Sequence, residues 1–509
     1  MTKRAYFYPV VILAILLAML FAENIRLETK LPSDGWSRSY NFKAESSTLA
    51  KPFIQNNSVF FSEDKQIAEI TCKDAMECTK TIKAKIAVPG NAEIWVKDNT
   101  VVYQDDTNLF VMKNGKTSQV VADVTYVRTG ENHVLYWKEQ NLFELNPSTT
   151  KSKLVSTFDH PIADISFFNN SFVTAVEMDR GKFRLTYFEA NGNSYKTSPL
   201  PDITFTDNES LEGFKYSRQG NSLSFMLNTM RLSQGNKAYN LLEFTQALND
   251  DQKTPELHKV ELADYQTGIS LANPRNMNFR QTQSGGELLF TAYGSRFSKY
   301  EGYNLYTAEK VESTWKAKRV STTKDLPVQP FWLGNDKIMW TNFSGKVNTL
   351  HGASSNKEAI QKSEKITTED LKFAASNTVS GGFGSFIILL FTMLWIVLPC
   401  IYFGVLFFVK GNLFEDETKG WIILIPILLF TISQLYTFNT SFRKESYIFA
   451  PDYLTFQGSF IVWPVIIALI SWGILKISKI KEVNPAGKFF YFAVVDTLII
   501  VLLIGPYVL

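Results

Sequence analysis

Between Leu49 and Gln361, apolar and polar residues alternate in short runs, and the runs come in groups of four. The first group reads LAKPFIQ, SVFFSED, QIAEITC and TKTIKA; the second reads AEIWVK, TVVYQD, NLFVMK and TSQVVAD. Further groups begin at VTYVRT, IADISFF, GFKYSRQ, MNFRQTQ and VQPFWLG, the fifth ending in HKVELADY and the last in a weak run near Ala359 and Ile360. Period-two alternation places successive side chains on opposite faces, which predicts half-buried strands. A turn rich in Asn or Gly separates the first two runs of each group, at Asn56-Asn57, Asp98-Asn99, Gly130-Glu131-Asn132, Asn169-Asn170, Gly220-Asn221, Gly285-Gly286 and Gly334-Asn335. These residues tolerate the positive φ that tight hairpins require.

Seven four-stranded antiparallel sheets bury both faces only by stacking radially. The 49–361 region therefore resembles the β-propeller superfamily, with WD-repeat-like or TolB-like blades, and the count is seven to within one blade. The resemblance lies in the fold alone: there is no Trp-Asp blade signature, no kelch double-glycine pattern and no repeated acidic calcium loop. Each group is complete within its own stretch, so no earlier segment has to close the ring. The weak last run leaves residues around Tyr40 to Lys43 as an alternative closing strand.

At both ends the alternation gives way to unbroken apolar runs. In residues 1–22, Lys3 and Arg4 precede an uncharged stretch, the build of a signal-anchor or of a cleaved signal peptide. Residues 23–48 and 362–382 read as linkers. Residues 383–509 read as a four-helix transmembrane domain, with crossings at Phe383 to Val409, Trp421 to Phe438, Phe460 to Leu475 and Phe489 to Leu509. Each contains a proline, at positions 399, 426, 464 and 506. The basic segment Lys476 to Lys488 beside the membrane, with Lys3 and Arg4, predicts a multi-pass protein of the cytoplasmic membrane whose propeller lies on the outer, periplasmic or extracellular side.

Composition adds exclusions. Lys and Arg number 52 against 49 Asp and Glu, a net charge of +3 that is too small for a dedicated nucleic-acid binder. The mean hydropathy of -0.06 averages a polar middle with apolar ends and describes neither.

Candidate chemistry is sparse. Cys72 and Cys78 flank a short loop between two runs, and export to an oxidising compartment predicts a disulfide between them. Cys400 reads as a small apolar packing residue. The histidines, His133, His160, His258 and His351, sit on different blades without metal-ligand spacing, and no nucleophile elbow or phosphate loop is present, so no metal, cofactor or catalytic residue is expected. Asp496 is the acidic residue well inside a predicted crossing; at that depth it should be neutral, paired or facing a polar cavity, with Gln434 and Ser433 as its polar company. Loops between second and third runs carry Arg180 and Lys182, Arg231 and Lys237, then Arg296, Phe297, Lys299, Tyr300 and Tyr303, a basic and aromatic patch suited to an anionic lipid surface or a membrane-protein partner. The expected function is a binding or scaffolding component of a membrane protein assembly. The alternative is a transport or signal-transducing protein in which the propeller senses or gates and Asp496 acts.

Overall fold

A computed structural model describes residues 3–49, 51–90, 92–192, 194–206, 208–248, 255–283, 285–295, 300–311, 314–411, 420–441, 450–478, 480 and 483–507. The chain divides into two units, one of residues Leu31–Lys365 and one of Met1–Lys30 with Ile366–Leu509.

The first unit is a seven-bladed β-propeller. Its strands form seven separate sheets, each built on an antiparallel meander of consecutive strands, with blade seven taking its outer strand from the start of the unit and blade six gaining a parallel edge strand. Alternation along the strands explains how the blades join. In the second strand of blade one, Phe60 packs towards blade two while its neighbour Phe61 packs towards blade seven. In blade three, Tyr136 joins the cluster shared with blade two, and Leu135 and Trp137 join the one shared with blade four. Leu288 and Leu289 divide in the same way between blades five and seven. Each blade is thus apolar on both faces, and burial of both is what drives radial stacking. The hairpin turns take positive φ where the sequence predicts it, at Asn56 (52°), Asp98 (51°), Asn169 (50°), Gly220 (61°) and Gly334 (75°).

The ring is closed by the alternative strand. Tyr40–Ser46, within the 23–48 stretch read as a linker, forms the outer strand of blade seven, pairing Tyr40 with Gly352, Asn41 with His351 and Ser46 with Asn348. Gly352 makes the approach possible, because a Cβ there would stand 3.0 Å from the Phe42 ring and 2.8 Å from Met76. Preceding residues clasp blades six and seven: the Arg319 guanidinium, at the end of a blade six strand, donates to the Pro32 carbonyl at 3.1 and 3.2 Å, and Ser37 N donates to Ser354 O of blade seven at 2.9 Å. The weak run near Ala359 is not a strand. It is the helix Lys357–Ser363, capped by Asn356, whose side chain accepts from Glu358 N at 2.8 Å. HKVELADY also divides: His258–Lys259 ends blade five, whereas Leu262–Asp264 runs parallel to Thr314–Arg319 at the edge of blade six. Cys72 and Cys78 stand directly opposite each other in adjacent strands and are joined by a disulfide.

Among its described residues the second unit holds five helices long and apolar enough to cross a membrane: Lys3–Thr29, Thr368–Lys410, Trp421–Ser441, Ser459–Ile477 and Pro485–Leu503. Thr368–Lys410 begins well before Phe383, at a capping box in which Thr367 and Asp370 satisfy each other's backbone N–H groups. Its 43 residues span about 64 Å, twice a hydrocarbon core of roughly 30 Å. Pro506 lies in the 3-10 turn Gly505–Tyr507 beyond the last helix, where a Cβ on Gly505 would stand 2.6 Å from Ser385. Small residues let the backbones meet there, and Ser385 Oγ donates to the Val501 carbonyl at 2.8 Å. Lys3–Thr29 is tied to Thr368–Lys410 by Asn24 donating to Thr378 at 2.9 Å and Asn377 donating to Glu28 at 2.7 Å. Cys400 does not pack as expected: it lies on the exposed face of its helix, turned away from the others.

Candidate functional site

The first strand of every blade lines the centre of the propeller, and together they enclose a channel of about 750 Å³. Each blade contributes a polar side chain: Lys51, Glu93, Arg128, Asp164, Lys215, Arg275 and Gln329, in blade order, with Asn228 added from the second strand of blade five. Glu131 and Glu212, both exposed, complete the charged lining.

Blades one to four form a continuous chain of ion pairs. Lys51 Nζ and Arg128 Nη1 each lie 2.6 Å from Glu93 Oε1, and Arg128 turns its Nε and Nη2 to Asp164 Oδ1 at 3.0 and 2.9 Å. The second oxygen of Glu93 accepts from Thr129 N at 2.9 Å. Burial pushes the Glu93 carboxyl up, but Lys51, Arg128 and the Thr129 N–H outweigh it and hold the group below the usual carboxylate range. Asp164 also accepts from Ile165 N at 2.8 Å, so this half of the wall is internally satisfied.

Blades five to seven differ. Lys215 is enclosed by protein although the channel keeps it within reach of water, and among the described residues no carboxylate lies within ion-pair distance of it. Burial, reinforced by Lys51 and Arg128, pulls its ammonium below the usual lysine range, with Asp164 and Glu93 offsetting only part of this. The Arg275 guanidinium stacks on Tyr303 at 3.9 Å and faces Tyr239 at 5.0 Å. Arg275 Nε, Asn228 Oδ1 and Gln329 Oε1 are buried without a hydrogen-bond partner. Each such group costs roughly 1–3 kcal/mol.

Bulges aim these side chains. The first strands of blades four to seven slip register at Ile162/Asp164, Leu211/Gly213, on both sides of Arg275 and at Val328/Phe331. Asn273, Asn276 and Gln329 all take φ of 51° there. Asparagine tolerates that conformation, whereas in glutamine it is a strained feature of the kind that gathers at binding sites.

The side chains singled out from sequence lie elsewhere. Arg180 and Lys182 occupy the exposed hairpin between Ser171–Asp179 and Lys182–Asn191, and Lys182 faces Asp202 at 3.3 Å. Arg231 and Lys237 are exposed near the tip of the hairpin formed by Ser222–Ser233 and Asn236–Ala247. Arg296, Phe297 and Lys299 lie outside the described residues, and Tyr300 opens the strand Tyr300–Val311. Tyr303 is not a loop residue: it is half-buried in that strand, opposite Tyr293, and carries Arg275 on its ring. In the helical unit, Gln434 Nε2 donates to Asp496 Oδ1 at 2.5 Å, while Ser433 Oγ turns back to its own helix at the Leu429 carbonyl. Ser471, which the sequence did not point to, lies near Asp496 without completing a hydrogen bond to Oδ2. Among the described residues, no group of three His, Cys, Asp or Glu side chains has the arrangement of a metal site.

The channel residues were missed because all but Arg275 occupy polar positions in alternating runs. The signal was their recurrence: a charged or amide residue in the first run of six blades, as in LAKPFIQ, AEIWVK, VTYVRT, IADISFF, GFKYSRQ and VQPFWLG, whereas Arg275 stands just before MNFRQTQ.

No family model matches the chain, and no curated protein matches it. Solved structures with similar folds include the N-terminal domain of Nup159, at 8% identity and a TM-score of 0.39 over 64% of this chain and 95% of that one. Hsv2 from Kluyveromyces lactis matches at 10% identity and 0.37 over 60% and 97%. A hypothetical selenium-binding protein from Sulfolobus tokodaii matches at 9% identity and 0.36 over 62% and 84%.

Proposed function

We propose that the protein is a membrane-anchored propeller acting as a binding or scaffolding component of a membrane protein assembly, with the propeller on the outer side of the cytoplasmic membrane. The observation that carries this reading is the channel, to which all seven blades contribute a polar side chain, in a chain whose described residues include five membrane-length apolar helices. Such concave sites with convergent polar groups are where propellers and other scaffolds bind. The ties between Lys3–Thr29 and Thr368–Lys410 support a retained anchor. The exposed cations Arg180, Arg231 and Lys237 suit a partner surface or anionic headgroups.

Co-purification from membranes in mild detergent tests this, and a stoichiometric membrane-protein partner is the expected outcome. Recovery of the chain alone, with solute flux in liposomes, would favour the second reading, in which the Asp496–Gln434 pair serves transport. The orientation has its own test: with the native cysteines removed, Lys476→Cys and Asn439→Cys, both exposed positions, should label with an impermeant thiol reagent from opposite sides. Labelling of both from outside contradicts the five-crossing arrangement.

A further inference from the structure

We propose that the blade five to seven side of the channel binds a small organic acid, holding its carboxylate or phosphate group between Lys215 and Arg275 and its hydroxyl or amino groups on Asn228 and Gln329. This rests on the reading of the channel as the protein's binding site and gives that site a ligand class.

The two halves of the wall make the argument. On blades one to four the carboxylates Glu93 and Asp164 already hold Lys51 and Arg128, and Glu131 adds a further negative charge, so that half offers an anion no unanswered cation. On the other side Lys215 and Arg275 have no carboxylate partner among the described residues, and the acid nearest to Lys215 in sequence, Glu212, is exposed. Arg275 is held by Tyr239 and Tyr303 against its ring-stacking faces, and its buried Nε–H has no acceptor among the described residues, which leaves the guanidinium fork to be answered by an oxyanion. The depressed affinity of Lys215 for its proton reflects burial beside other cations, and an incoming anion reverses that imbalance.

The neutral groups restrict the class further. Asn228 Oδ1 and Gln329 Oε1 are buried acceptors without donors, so the ligand carries O–H or N–H groups besides its anionic end. The volume of about 750 Å³ is that of a metabolite-sized pocket. The bulges and the φ of 51° at Gln329 hold these groups in place before any ligand arrives.

The full chain in mild detergent, titrated calorimetrically with malate for the carboxylate arm and glycerol 3-phosphate for the phosphate arm, should bind one or both saturably and less tightly as salt rises. Lys215→Met and Arg275→Gln should each weaken that binding at least tenfold with the melting profile retained. Arg275→Lys, which keeps charge but loses the planar fork of N–H donors, should weaken it less, and Glu261→Gln, at an exposed position outside the channel lining, should leave it unchanged. Saturable binding of neither probe, or binding that Lys215→Met and Arg275→Gln leave intact, overturns the proposal, as does binding confined to an acidic peptide. Partner recovery from membranes is scored separately: a Lys215→Met/Arg275→Gln double variant that loses anion binding but retains recovery leaves the assembly reading standing, and wild-type protein that binds the anions yet recovers no partner removes only that reading.

Discussion

Glu93 in the propeller and Asp496 in the helical unit are both buried carboxylates, and their surroundings are opposite. Glu93 has two cations at 2.6 Å and a backbone N–H at 2.9 Å. Asp496 has one neutral amide at 2.5 Å and a second oxygen without a hydrogen-bond partner. The first belongs to an ionic chain that crosses four blades, so its charge is part of how the ring is joined. The second sits among apolar helices, where a lone carboxyl adds little to packing and persists for local polar bonding or for function. Burial alone therefore does not say what a carboxylate is for; the charge of its partners does.

The largest expected effect tests the ionic chain. Glu93→Gln leaves Lys51 and Arg128 facing each other with only Asp164 as counter-charge, and removing one partner of a buried pair costs about 3–5 kcal/mol. Urea unfolding of the propeller transition should show this loss, with the double variant Glu93→Gln/Lys51→Met recovering part of it. A cost within 0.5 kcal/mol or so, ordinary for a surface site, would place Glu93 outside the joining network.

Acid should reproduce the same loss more gradually. Because the folded-state pKa of Glu93 is held below its unfolded value, near 4.3 for a free glutamate, the stability it contributes is present above that pH. It declines as pH falls through the lower folded-state value. Melting midpoints of wild type should thus drop below about pH 4, and Glu93→Gln should lack that component of the drop. Parallel pH profiles for the two proteins would contradict the pairing.

These contrasts also mark what the sequence could show. The blades were legible because each strand packs on both neighbours, and the resulting alternation, as at Phe60-Phe61 or Leu288-Leu289, is local. The closing strand was only an alternative, since its partner Asn348–Ser354 lies some three hundred residues away and YNFKAES has little alternation of its own. Ala359-Ile360 mimicked a strand because an apolar pair fits either period, although Asn356 already marks a helix start. The Asp496–Gln434 pair was legible because polar residues are rare in apolar helices. The channel was not, because polar residues in a soluble strand are ordinary; only their meeting at one axis, with bulges turning Asp164, Arg275 and Gln329 inward, makes them a site.

The smallest expected effect on stability falls on Asp496, and it sharpens the comparison from the other side. Asp496→Asn keeps the shape of the group and the possibility of a hydrogen bond to Gln434, while removing a charge that has no cationic partner among the described residues. Protein level and melting in detergent should change by less than about 1 kcal/mol, in keeping with the modest worth of polar contacts between membrane helices. Replacing both partners, in Asp496→Leu/Gln434→Leu, should be near neutral as well, because removal of both polar groups leaves neither unsatisfied. Gln434→Leu alone should cost more than the double change, since it strips Asp496 Oδ1 of its donor. If instead the double variant unfolds like Glu93→Gln, the pair is structural; if it melts normally but abolishes liposome flux or partner recovery, Asp496 is retained for function.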